Sequence, residues 1–177
     1  MDFMFLLFIA MVIGITVPTG ISYVLYKWIK KKGIDKRLRL LAFIPIFIAA
    51  YFIYDAVYPS DEFYKVDFKE VTDMEFPKSG NIIAKTASFP DHFGDYISSF
   101  LIEFDPNDLK KLENQLINTG FEEKTNRMSS KELDYIEQRV EGKEYAKQFV
   151  YQLKNGKHYS VGFLNDNKSV IVTRVSW

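Results

Sequence analysis

Trp28-Ile29-Lys30-Lys31-Lys32-Gly33-Ile34-Asp35-Lys36-Arg37-Leu38-Arg39 decides how the chain is read, because it sets a short cationic run between two long apolar ones. Lys27, Lys30, Lys31, Lys32, Lys36, Arg37 and Arg39 stand there against a single acid, Asp35. Short loops with such an excess stay on the cytoplasmic side of a membrane. The expectation is a hairpin, with residues 27–39 inside and both the N-terminus and everything beyond Tyr58 outside the cytoplasm.

Outward from that loop, Phe3 to Tyr26 is apolar almost throughout. At about 1.5 Å per residue it reaches about 36 Å, enough to cross a hydrocarbon layer of about 30 Å with some tilt. Asp2 precedes the run and lysines follow it, the reverse of a secretory signal peptide. Pro18 predicts a kink, with Thr16 or Thr19 serving the freed backbone groups. Leu40 to Tyr58 is the second span, with Pro45 in its first half. Ala10 and Gly14 on the first span, and Ala49 and Ala50 on the second, are the expected points of close helix contact. Tyr23, Tyr26 and Trp28 at one end, and Tyr51, Tyr54 and Tyr58 at the other, suit interfacial aromatic belts. Asp55 falls in the last turn of its span and reads as reaching headgroup water, not as part of a proton path.

Charge divides at the same place. Residues 1–59 hold seven Lys/Arg and three acids, whereas residues 60–177 hold sixteen and twenty, so the formal zero is a cancellation. The mildly acidic outer part gives no electrostatic reason to expect nucleic acid as a partner. Its length, roughly 120 residues, suffices for a core without disulfides or metals. The absence of cysteine excludes a disulfide framework and thiolate chemistry.

Pro59 stops the second span, and Ser60-Asp61-Glu62 opens a helix whose buried stripe is Tyr64, Phe68 and Val71, widened by Phe63 and Val66. Ser79 to Thr86 and Tyr96 to Phe104 read as a hairpin with a wide loop. In its second strand Tyr96, Phe100, Ile102 and Phe104 share one face. Asp105-Pro106-Asn107-Asp108 opens a helix carrying Leu109, Leu112, Leu116 and Ile117, which Gly120 closes in the left-handed conformation. Ser129 to Glu132 forms a capping box for a third helix running to Gly142. Three strands follow, Tyr145 to Lys154, Lys157 to Leu164 and Ser169 to Trp177. A two-residue turn at Asn155-Gly156 would set Phe149, Tyr151 and Leu153 opposite in facing to Tyr159, Val161 and Phe163. A three-residue loop with Gly156 in a left-handed bulge puts all six on one face, and is the expected turn. The other face then carries Ala146, Gln148, Val150, Gln152, His158, Ser160 and Gly162, and is expected to be wet or to meet a partner.

The fold class is therefore α+β. A transmembrane two-helix hairpin over 1–59 precedes an extracytoplasmic domain over 60–177. That domain runs helix, two strands, helix, helix, three strands, with its helices on one face of an antiparallel sheet.

Chemistry-bearing residues are few. His92 lies in Asp91-His92-Phe93-Gly94-Asp95, where Asp91, His92 and Asp95 could bind a divalent ion or act as acid and base. Pro90, Asp91, Gly94 and Asp95 are equally ordinary turn residues, and that plainer reading is preferred. His158 reads as an exposed member of the polar sheet face. No nucleophile elbow, phosphate loop, dinucleotide fingerprint or H-E-x-x-H occurs, so neither a cofactor nor an enzymatic activity is expected.

The run Phe68 to Ile83, with Phe76-Pro77-Lys78-Ser79 at its centre, continues through Gly94-Asp95-Tyr96 to Asp105-Pro106-Asn107-Asp108-Leu109. It resembles a module of small bacterial lipoproteins and membrane-anchored proteins, some of them similar to immunity proteins encoded beside secreted toxins. The resemblance covers about a third of the chain, and implies an extracytoplasmic binding role without catalytic residues. Three functions are thus in view. The first is a bacterial inner-membrane protein whose outer domain binds a protein partner, such as a toxin, through the polar sheet face at Gln148, Gln152 and His158 beside the loop that holds Asp91, His92 and Asp95. The second is an accessory subunit of a membrane complex, assembled through Ala10, Gly14, Ala49 and Ala50. The third is an enzyme at Asp91, His92 and Asp95.

Overall fold

A computed structural model describes residues 3–88, 94–124, 128–140, 142–154 and 156–176, with the backbone alone for 3–11, 56 and 57. It divides into two compact units, Met1–Tyr58 and Pro59–Trp177.

In the first unit, helix α1 runs unbroken over Phe3–Lys31 and carries Pro18 in its interior. The Thr16 and Thr19 hydroxyls donate to the carbonyls of Val12 and Ile15, each at 2.7 Å. Lys30 and Lys31 fall in the last helical turn, where cations suit the negative end of the dipole. The cationic loop is correspondingly shorter than expected. A 3-10 segment, Leu38–Phe43, leads into α2, Ile44–Val57. Pro45 begins α2 instead of interrupting it, because its missing N–H is harmless in a first turn. Two stretches, Val12–Lys31 and Leu38–Asp55, are long and apolar enough to cross a membrane.

Among the described residues of this unit Ser22 and Ala42 are buried, at 3% and 1% exposure, whereas Gly14 and Ala50, expected at the helix contact, are exposed and Ala49 is half-buried. Among the described residues no packing partner lies within 4 Å of a Cβ placed on Gly14, and the Ala10 side chain is outside the described residues. Leu38–Phe43 takes 3-10 geometry, which advances about 120° per residue where an α-helix advances about 100°.

The second unit begins with α3, Asp61–Thr72, followed by the hairpin β1, Asn81–Ala87, and β2, Ile97–Glu103. Helix α4, Pro106–Asn118, leads to a two-residue strand β3, Glu122–Glu123, and to helix α5, Lys131–Glu137. The meander β4, Tyr145–Gln152, β5, His158–Leu164, and β6, Ser169–Val175, closes the chain. The six strands form one antiparallel sheet in the order β1-β2-β6-β5-β4-β3. The C-terminal strand therefore lies inside the sheet and joins the hairpin to the meander.

Local chemistry explains these elements. Asp105 occupies the cap position of α4 with Pro106 behind it, although its side chain makes no capping bond. Gly120 at φ +86 ends that helix, and the N–H groups of Gly120 and Phe121 donate to the carbonyls of Ile117 and Leu116. Phe121 then stacks on Tyr151 at 5.2 Å. In the β4–β5 turn Leu153 N–H donates to the Lys157 carbonyl at 2.9 Å, and Gly156 stands at φ +86. Phe149 faces Val161 and Tyr151 faces Tyr159 in register, as the bulged loop requires.

One core lies on the sheet face that carries Phe100, Ile102, Phe149, Val161, Val170 and Val172, packed against Tyr64, Phe68 and Val71 of α3 and Leu109, Leu112 and Leu116 of α4. Val66 and Ile117 were expected inside but are exposed, at 66% and 56%. A second core corrects the one-sided layering. Leu133 and Ile136 of α5, with Val140, pack on Leu101, Leu164 and Ile171, so that helices cover both faces. Helix α5 itself ends at Glu137, short of Gly142, and Ser130 caps it in place of Ser129, accepting from Leu133 N–H at 3.1 Å.

Strand β1 is an outer edge of the sheet, and it is irregular. A register shift between Ile82 and Ala84 leaves Ile83 protruding and exposed. Two residues on, Lys85 Nζ turns back to Asp61 Oδ1 at 2.6 Å and to the Pro59 carbonyl at 3.1 Å.

Candidate functional site

Of the residues singled out from sequence, Asp91 and His92 lie outside the described residues, and Asp95 is half-buried just ahead of β2. The other three are on the second sheet face. His158 pairs with Gln152 across β4 and β5 and with Val175 across β5 and β6, while Gln148 pairs with Gly162. The expected open polar surface is not what surrounds them. His158 and Ser160 are each only 8% exposed, and the neighbouring hydroxyls of Ser99 and Thr173 satisfy each other at 2.9 Å, with Ser99 itself fully buried. Hydroxyls that pair across strands are compatible with burial under α5, which is why the face closes.

The arrangement separates the three residues. Gln152 and His158 line a groove of about 540 Å³ together with Val150, Tyr151, Met128 and the Glu122–Lys124 ion pair of the β3 segment. Gln148 is instead directed toward Leu133, Tyr145 and Ser160 around a much smaller space, and its Oε1 has no hydrogen-bond partner among the described residues. Burial lowers the His158 pKa, so the imidazole is held neutral and offers one donor and one acceptor. Glu122, Lys124 and Met128 escaped the sequence reading because a two-residue strand has no periodicity to detect.

A second polar cluster, also missed, ties α3 to the first sheet face. Asp67 is 1% exposed; Oδ1 accepts from Tyr96 OH at 2.6 Å and Oδ2 from Ser98 Oγ at 2.5 Å. One turn on, Glu70 accepts from Lys157 Nζ at 2.6 Å, Tyr159 OH at 2.7 Å and Arg174 Nε at 3.2 Å. The Arg174 guanidinium lies 4.0 Å from the centre of the Tyr96 ring and donates to the Ser176 hydroxyl and the Tyr96 carbonyl. Burial presses the Glu70 pKa upward, but the bonds from Lys157, Tyr159 and Arg174 outweigh it and hold it at about 2. Burial raises Asp67, and the Ser98 and Tyr96 hydrogen bonds do not cancel that rise. Every side chain in this cluster is occupied within the fold, which marks it as structural.

No protein-family model, curated protein or solved structure matches this chain. Function must therefore be argued from the groove. Among the described residues no group of three His, Asp or Glu side chains is placed to hold a metal ion. The groove combines an aromatic and an aliphatic wall with an amide, a neutral imidazole and an ion pair. Such a surface can bury apolar side chains and hydrogen-bond a polypeptide at the same time.

Proposed function

We propose that this chain is a bacterial inner-membrane protein whose domain beyond Pro59 lies outside the cytoplasm and binds a protein partner through the groove at Gln152 and His158. The carrying observation is that groove: it joins Tyr151, Met128 and Val150 to the hydrogen-bonding groups of Gln152, His158, Glu122 and Lys124. The cationic segment between two span-length helices supports the orientation. The resemblance to immunity-like anchored proteins supports a secreted toxin as the kind of partner.

Two measurements test the reading. The chain lacks cysteine, so Asn165→Cys and Lys32→Cys each supply one thiol for an impermeant reagent applied to intact spheroplasts. Reaction at position 165 with protection at 32 is expected, and the opposite pattern removes the orientation. A photocrosslinking residue at Tyr151 should give a discrete adduct that Gln152→Ala with His158→Ala abolishes, whereas one at Ile117 should give none. Equal adducts at both positions would remove the groove as the binding surface.

A second reading, an accessory subunit assembled through the hairpin, is favoured by Gly14 and Ala50, small residues left exposed by the hairpin's own packing. Gly14→Leu with Ala50→Leu would abolish co-purification of neighbouring subunits under this reading and leave groove adducts intact under the first.

A further inference from the structure

Helix α3 is the first element of the second unit, and its seat on the sheet is only partly apolar. Tyr64, Phe68 and Val71 enter the core, but Asp67 goes down beside them and is just as buried. Two neutral hydroxyls, from Tyr96 and Ser98, are its hydrogen-bond donors. No Lys or Arg nitrogen forms an ion pair with it among the described residues. Arg174 is committed elsewhere, to Glu70, the Ser176 hydroxyl and the Tyr96 carbonyl. An ionised carboxylate in that place keeps its desolvation cost with no opposite charge in contact. A neutral carboxyl fits the same site, since the Ser98 hydroxyl can accept a hydrogen bond from it as readily as donate one.

We propose that Asp67 is a proton-operated latch: its neutral carboxyl locks α3 onto β2, and its ionisation loosens that helix from the sheet. The charged and titratable groups around it are Glu70 and Tyr64 on α3, Tyr96 ahead of β2, Arg174 on β6 and Tyr159 on β5, with Lys157 bound to Glu70 beside them. Burial raises Asp67 above its ordinary 3.8, Arg174 pulls it down and Glu70 pushes it up. For a carboxyl raised in the folded state, the folded form binds more protons than the unfolded one. Its contribution is complete below 3.8 and is lost as pH rises through the folded pKa. Glu70, held at about 2, stays ionised in the folded chain and adds slope only below about pH 4.5, where the unfolded chain takes up its proton, and in the sense opposite to Asp67. His158, on the opposite face, is lowered and so acts in the opposite sense. The Asp67 component is therefore read as a difference between wild type and a variant.

Hydrogen exchange of the full chain in detergent micelles, corrected for the chemical pH dependence of exchange, measures it between about pH 4 and about pH 8. Protection of the α3 amides should fall by up to about tenfold per pH unit across the interval between the unfolded and folded pKa values. That fall should be absent in Asp67→Asn, with the α4 amides as reference. Ser98→Ala removes a donor to the ionised form and should move the midpoint to higher pH. Equal pH profiles in wild type and Asp67→Asn overturn the latch. Should Asp67→Asn fail to fold, the Ser98→Ala midpoint decides, and an unmoved midpoint overturns it as well.

Discussion

Glu70 gathers an ammonium, a phenol and a guanidinium on one exposed-side carboxylate, and its energetics have a defined sign. The folded pKa of about 2 lies below the ordinary 4.5, so its stabilisation is present in full above about pH 4.5 and disappears as pH falls towards 2. Urea unfolding in detergent should show this acid-side loss in wild type and not in Glu70→Gln. At neutral pH the variant should be less stable by about 2 kcal/mol, because Arg174, 5% exposed, keeps its charge without that partner. A steric case stands at Gly162. A Cβ there would come 2.6 Å from Tyr145 Cδ1 and closer still to Cε1. Yet the Tyr145 ring is held by its hydroxyl, which donates to Glu137 Oε1 at 2.6 Å. Gly162→Ala should therefore lower stability by about 1–3 kcal/mol, read as a drop in the urea midpoint.

At the level of elements, the placement of the cap one residue later than the capping-box pattern makes a direct comparison. Ser130→Ala should cost about 1 kcal/mol, and Ser129→Ala within about 0.5 kcal/mol of nothing, measured by the same unfolding curves. The contrast also shows which features sequence could yield. The Asp105-Pro106 helix start, the Gly120 stop and the Gly156 bulge are settled within a few residues, so their chemistry is visible in the chain. The seven-residue α5 was recognisable as a helix, but its side of the sheet depends on residues far away. Gln148, Ser160 and His158 looked like a wet face because polar side chains were counted without their partners. Ser99 and Thr173, 74 positions apart, supply the pairing that lets the face be covered. Asp67 is the same lesson in reverse: nothing in the helix pattern marks it, and only Tyr96 and Ser98, 29 and 31 residues on, reveal it as an inward acid.

For the whole molecule, the boundary at Tyr58 and Pro59 separates a part with two stretches long and apolar enough to cross a membrane from a part with two cores of its own. Residues 59–177 expressed alone should fold without detergent and unfold in a single cooperative transition by near-ultraviolet circular dichroism. A non-cooperative melt would show that the domain depends on its anchor. Composition and charge made this division legible, but not the way the anchor's helices touch. Ser22 and Ala42 are the buried positions among the described residues of that unit, and nothing in a list of small residues singles them out. Finally, a protein confined to a surface meets its own copies far more often than one free in solution, and a straight open strand there would be a standing invitation to stack copy upon copy. The protruding Ile83 and the charge of Lys85 deny β1 that role. A second copy meeting that edge finds no regular row of backbone groups to extend, and the groove lies by β3, at the opposite edge of the sheet.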